Sequence, residues 1–290
     1  MKFGMIESMC DPKHYVPMVQ RLEERGWDFF YVPDSICYPK EAGSKQYPYH
    51  GGREFLDGKP FLEPFSLVPV LAAATERLEF ATDVLKLPIR HPTLLAKQVN
   101  TVAVMTEGRF RLGAGLSPWL EDFQVTDTDW DTRGPRMDEM IEILRGLMSG
   151  EYFEYHGEHY DLPAIKMAPV HETPVPVLIG GQSHPALRRA ARIGDGWISA
   201  GGSLEDLESM LGGLRGFLKE EGRSEEGYEI HVMAPFDAYT IEGIRSIRDL
   251  GATHVILSPR NPYLEPDCPL AKKLGFIDAM TDELVAKVGG

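Results

Sequence analysis

Eight short apolar runs, nearly all followed by a segment of helical character, constrain this chain more than any other feature. The runs are Lys2–Ile6, Phe29–Val32, Leu78–Val84, Phe110–Gly115, Val175–Ile179, Trp197–Ala200, Tyr228–Met233 and His254–Leu257. The helical segments lie near Pro12–Arg25, Pro64–Ala74, Pro92–Met105, Arg133–Met148, Pro185–Ile193, Leu204–Glu221, Ile241–Leu250 and Leu270–Val288. Several of these end in glycine (Gly26, Gly108, Gly251), the usual left-handed stop. Strands alternating with helices must pair in parallel, and eight such units close into a (β/α)8 barrel. A doubly wound open sheet is the competitor; the count of eight favours the barrel.

A length of 290 residues suits one such barrel, and no repeat, low-complexity tract or linker divides residues 1–290. Hydrophobic residues make up 43%, enough for a sizeable core, yet no run of about 18 apolar residues could span a bilayer. The start, Met1-Lys2-Phe3-Gly4-Met5-Ile6-Glu7, carries an acid where a signal peptide is apolar, so a cytoplasmic protein is expected. Cys10, Cys37 and Cys268 form no disulfide framework and match no metal-binding spacing. His156 and His159 lack a third ligand and read as a solvated hairpin; no metal site is expected. The formal charge of −14 excludes general nucleic-acid binding, and means that an anionic ligand must be held by placed amides and arginines.

Two connections, residues 33–63 and 116–132, are too long for a bare barrel. Both leave the C-terminal ends of strands, where barrel active sites are built. The first, rich in Pro, Gly and Tyr and including Tyr47, Tyr49 and His50, reads as a lid or substrate wall. Residues Glu151 to Val170 read as a small hairpin.

Within residues 174–203, Val175–Ile179 leads into Gly180-Gly181, then Gln182-Ser183-His184 and a helix with Pro185 in its first turn. Ser183 is placed to cap that helix, and its free amides suit a phosphate. Gly194-Asp195-Gly196-Trp197 turns the chain into the next strand. This segment resembles the luciferase-like flavin and deazaflavin oxidoreductases. The stretch Arg77–Gln98, with Asp83-Val84 and Arg90-His91-Pro92, resembles the same family. So do Glu107-Gly108-Arg109 through Gly113-Ala114-Gly115, Thr132–Glu139, and the hairpin Gly157–Tyr160. The motifs stand in family order along essentially the whole chain, and Tyr31-Val32-Pro33-Asp34 with Tyr47-Pro48-Tyr49 is most similar to the branch using coenzyme F420.

The resemblance implies a barrel that binds F420 across its strand ends and exchanges a hydride with a small, largely apolar substrate. It implies a homodimer and a non-proline cis peptide at Asp83-Val84 against the coenzyme ring. Cofactor contacts are expected from Asp83, Val84, Gly113, Ala114, Gly115, Gly180, Gly181, Gln182, Ser183 and His184. Asp34 and Ser35 are the catalytic candidates, although the branch usually has histidine where Ser35 stands. Tyr47, Tyr49, His50, Ser117 and Trp119 are expected to line the substrate pocket. Sugar-phosphate-oxidising relatives carry an acid where this chain has Leu116-Ser117-Pro118-Trp119, which argues against that substrate class. Two alternatives stay open: an FMN-dependent monooxygenase using reduced flavin and O2, and a non-catalytic flavin-binding relative.

Overall fold

The computed structural model describes residues 1–40 and 53–288. Its strands in chain order are β1 (Lys2–Ile6), β2 (Phe29–Val32), β3 (Glu79–Thr82), β4 (Leu85–Lys86), β5 (Phe110–Gly115), β6 (Phe153–His156), β7 (Asp161–Ile165), β8 (Val177–Gly180), β9 (Gly196–Ile198), β10 (Glu229–Met233) and β11 (His254–Leu257). Eight of them close a parallel ring in the order β3-β2-β1-β11-β10-β9-β8-β5, and the β3–β5 pairing, Phe80 against Phe110, completes it. The barrel expected from the alternation is therefore the observed fold, and the open sheet is excluded. β6 and β7 form the separate antiparallel hairpin.

The surrounding helices are α1 (Tyr15–Glu24), α2 (Pro64–Ala73), α3 (Pro92–Met105), α4 (Leu120–Val125), α5 (Arg133–Met148), α6 (His184–Ile193), α7 (Leu204–Glu220), α8 (Ile241–Asp249), α9 (Leu270–Met280) and α10 (Ala286–Val288). None is long and apolar enough to cross a membrane. Side chains alternate along each strand. One set therefore packs outward against the helices, while Phe29, Tyr31, Ala81, Leu178, Ile198 and Ile256 fill the barrel interior.

Five differences from the sequence reading are local. The strand expected over Leu78–Val84 ends at Thr82, and a separate short strand, β4, follows the cis Asp83-Val84 peptide. The first helix begins as a 3-10 turn, Pro12–His14, capped by the Asp11 carboxylate. The last helix is interrupted by a π turn at Thr281–Val285. The six-residue α4 escapes sequence reading because it spans too few turns to show a period. Ser183 occupies the N-cap position of α6, but its side chain makes no capping hydrogen bond, a correction to the expected role.

Candidate active site

The C-terminal mouth of the barrel is shaped first by Val84. Beyond the cis peptide its side chain packs across the paired strands β5 and β8. A Cβ on Gly115 would meet Val84 Cγ2 at 2.5 Å, and one on Gly180 would meet Cγ1 at 2.7 Å. A Cβ on Gly113 would lie 1.8 Å from the Thr82 carbonyl oxygen. These glycines, expected as cofactor contacts, make room for the end of β3. Ala114, between them, faces the outer core. Val84, Ile6 and Met233, all partly exposed, form an apolar layer above the barrel interior.

Asp83 is the polar exception in this layer. Its Oδ2 is buried and has no hydrogen-bond partner, and burial pushes the carboxyl up to about 7. An unpaired buried carboxylate is costly, so the neutral acid persists toward neutral pH. The Tyr31 ring reaches the barrel interior from β2, and burial, together with the Asp83 charge, raises its hydroxyl well above the ordinary tyrosine value.

Asp34, just past β2, is fully engaged. Lys86 N donates to it at 3.0 Å and Arg90 Nη2 at 3.2 Å. The neighbouring Ser35 is half-buried. Below them lies a buried charge network. Asp122 of α4 accepts from Lys86 Nζ at 2.6 Å, from Ser117 Oγ at 2.5 Å and from Arg53 Nη2 at 3.1 Å. Arg53 also donates to Glu121 and to the Cys37 carbonyl, and its guanidinium lies 4.5 Å from the Trp119 ring centroid. Ser117 and Trp119 are therefore buried parts of this network, which pins both described ends of the connection after β2 to the connection after β5. Tyr47, Tyr49 and His50 lie outside the described residues.

At the end of β8, Gly181 adopts φ +121°, and a Cβ there would approach Ala186 Cβ at 2.8 Å. The Gly181 carbonyl accepts from Trp197 Nε1 at 2.8 Å, and the Gln182 amide side chain donates to the Gly201 carbonyl. These bonds fix the strand–helix turn, so its amides present a formed edge at the start of α6. His184, the first residue of that helix, is exposed and sits edge-on to Phe217 at 4.6 Å. Arg188 pairs with Glu220, while Arg189 and Arg192 both pair with Asp138. Those arginines tie helices together at the surface. His156 pairs with Asp161 on its exposed hairpin.

Sequence reasoning missed three groups. One is the Arg53–Asp122–Lys86 network, whose members are far apart in the chain. A second joins Glu7, at the end of β1, to Arg260 at 2.7 Å and Lys273 at 3.5 Å, all buried. The third is Glu229, His231 and His254 at the opposite, N-terminal end of the barrel. Its signal was available in part, since Glu229 and His231 alternate onto one face of a strand.

Residues 3–250 match the family described as luciferase-like monooxygenase. An uncharacterized protein of Mycobacterium tuberculosis is 44% identical across 99% of this chain and 100% of its own. An F420-dependent glucose-6-phosphate dehydrogenase of Kineococcus radiotolerans is 30% identical over 64% of this chain and 58% of its own length. Among solved structures, an F420-dependent secondary alcohol dehydrogenase in complex with an F420–acetone adduct has a TM-score of 0.78 at 14% identity, covering 98% of both chains. Monooxygenase RslO1 from Streptomyces bottropensis has a TM-score of 0.75 at 16% identity, covering 99% of both. These structural likenesses are of fold.

Proposed function

This chain belongs to the luciferase-like monooxygenase family, and on that premise we propose that it is an F420-dependent oxidoreductase moving a hydride between the deazaflavin and a small, largely apolar organic substrate. The observation that carries the reading is the mouth of the barrel: an apolar layer of Ile6, Val84 and Met233 beside a carboxyl whose Oδ2 is buried and unpartnered among the described residues. A planar heteroaromatic ring fits both, through apolar contact and a hydrogen bond to Asp83. The F420-dependent dehydrogenase of Kineococcus radiotolerans favours deazaflavin over flavin.

When bound, the deazaflavin supplies the two-electron chemistry, its ring carbon favouring hydride transfer over oxygen activation. Val84 supports one face of the ring position, and Ile6 and Met233 exclude water from it. Asp83 holds a proton on its carboxyl near neutral pH and can donate it as a hydrogen bond. The Gly181-Gln182-Ser183 amides suit the coenzyme phosphate, with the Arg133–Arg136 turn as the second candidate. Asp34, held by Arg90 and the Lys86 amide, orients the loop after β2 more readily than it moves a proton. Ser35 lies beside it, half-buried.

Separate titrations with oxidised F420 and FMN test the reading. We expect F420 to bind at least tenfold more tightly, and reduced F420 to be consumed with members of a panel of enones, imines and ketones. Tight FMN binding with oxygen consumption, and none for F420, overturns it in favour of a flavin monooxygenase. F420 binding without turnover across the panel points to a binding protein.

A further inference from the structure

The N-terminal floor of the barrel, opposite the coenzyme mouth, holds a second constellation. One donor atom each of Glu229, His231 and His254 lie within 4.8 Å of one another. The two imidazoles stack in parallel, centroids 3.8 Å apart and planes 7° apart. Both histidines are buried, at 0% and 5% exposure.

Hydrogen bonding holds the His254 ring in place but leaves one of its nitrogens unused. Its Nδ1 lies 2.7 Å from Thr253 Oγ1, a hydroxyl that also accepts from Ile230 N at 2.7 Å. The other ring nitrogen, Nε2, is buried and without a hydrogen-bond partner among the described residues. A buried polar atom left unmatched points to a missing partner or ion.

The other two groups are held just as firmly from outside. Arg111 Nε donates to Glu229 Oε1 at 3.1 Å, leaving Oε2 facing His231 Nε2 at 2.9 Å. His231 Nδ1 lies 2.7 Å from the Tyr31 hydroxyl. Each potential ligand thus has an outer partner that sets its orientation, as metal-binding histidines and carboxylates do. Two imidazoles and a carboxylate are a donor set for a divalent transition ion of borderline softness.

We propose that Glu229, His231 and His254 bind a divalent transition-metal ion, zinc or a similar ion, at the floor of the barrel. The ion replaces the Nε2 proton of His231, binds His254 through its unpartnered Nε2, and turns the two rings out of their parallel stack so that it lies near both ring planes, joining β10 to β11. Glu229, 22% exposed on its side chain, is the entry point. Lys2 and Arg111 lie over the Phe29 ring at 5.3 and 5.7 Å, beside the two histidines. Their positive charge opposes a bound cation and lowers its affinity. The role is structural, since the site is separated from the mouth by the packed barrel interior.

The test uses the full chain, stripped with EDTA and desalted, then titrated with Zn2+ by calorimetry and with Co2+ by absorption. One ion per chain is expected, with Co2+ showing d–d bands and no thiolate charge transfer. His254→Gln and Glu229→Gln should each weaken binding at least tenfold, while His91→Gln, on the exposed start of α3, leaves it unchanged. Binding weaker than millimolar, or indifferent to the first two substitutions, overturns the site. Should either variant fail to fold, melting of the unaltered protein decides. A Tm that rises with Zn2+ in proportion to the measured affinity supports the site, and an unchanged Tm refutes it.

Discussion

Asp83→Asn is expected to stabilise the protein at alkaline pH and much less at acid pH. The carboxyl Oδ2 is buried with no partner, and burial lifts its pKa from 3.8 to about 7. Below about pH 4 the folded and unfolded chains both carry the proton, so the acid costs nothing. Between about pH 4 and 7 the unfolded chain ionises while the native state does not, and native stability falls by about 1.36 kcal/mol per pH unit. Above pH 7 the native carboxyl ionises too, and the loss levels off near 4 kcal/mol, roughly three decades of proton affinity. Asparagine does not titrate. The advantage of Asp83→Asn should therefore grow by about 2 kcal/mol between pH 5.5 and 8, a window that stays above the pI of about 5.1. Urea unfolding of both proteins at pH 5.5, 6.5 and 8 measures it, because all other titrating groups cancel in the difference. A difference flat across that range would refute the buried, unpaired acid.

Gly180→Ala would press a methyl group against Val84, costing roughly 1–3 kcal/mol, and Val84→Ala in the same chain should recover at least half of that loss. Asp122→Asn removes the one carboxylate shared by Lys86 and Arg53, and leaving two buried cations short of charge should cost about 3–5 kcal/mol in denaturant unfolding. The chain is expected to be a homodimer joined through the outer faces of α2 and α3, where Val70, Leu94 and Met105 are exposed. Light scattering should give twice the chain mass, falling to one chain for Leu94→Glu with Met105→Glu; an unaltered dimer would move the interface elsewhere.

The barrel was legible because its strands are short, apolar and separated by helices that stop at Gly26, Gly108 and Gly251, all at positive φ. Period and punctuation are local properties, and a single chain displays them. The candidate site was less legible, because its decisive contacts join residues far apart in sequence. Gly113, Gly115 and Gly180 announce that something comes close, but only the folded chain shows that the neighbour is the Thr82 carbonyl at Gly113 and Val84 at the other two. Ser117 and Trp119 look like pocket residues in a list of types, yet their partners Asp122 and Arg53 draw them into the protein. Asp83 shows in sequence only as an acid at a strand end, and its raised proton affinity follows only from its surroundings.

The seating of Val84 makes one contact serve two purposes. The same methyl groups that pack across the paired strands β5 and β8, at Gly115 and Gly180, also form the surface on which a flat ligand would rest. Pocket floor and barrel closure cannot then change independently. A larger or smaller residue at 84 reshapes both, so new substrate preferences are more readily obtained in the connections after β2 and β5, leaving the wall alone. Conversely, a ligand pressing on Val84 braces the seam between strands. Protection from heat or proteolysis is thus expected to spread around the ring from an occupied mouth, reaching segments that the ligand never touches.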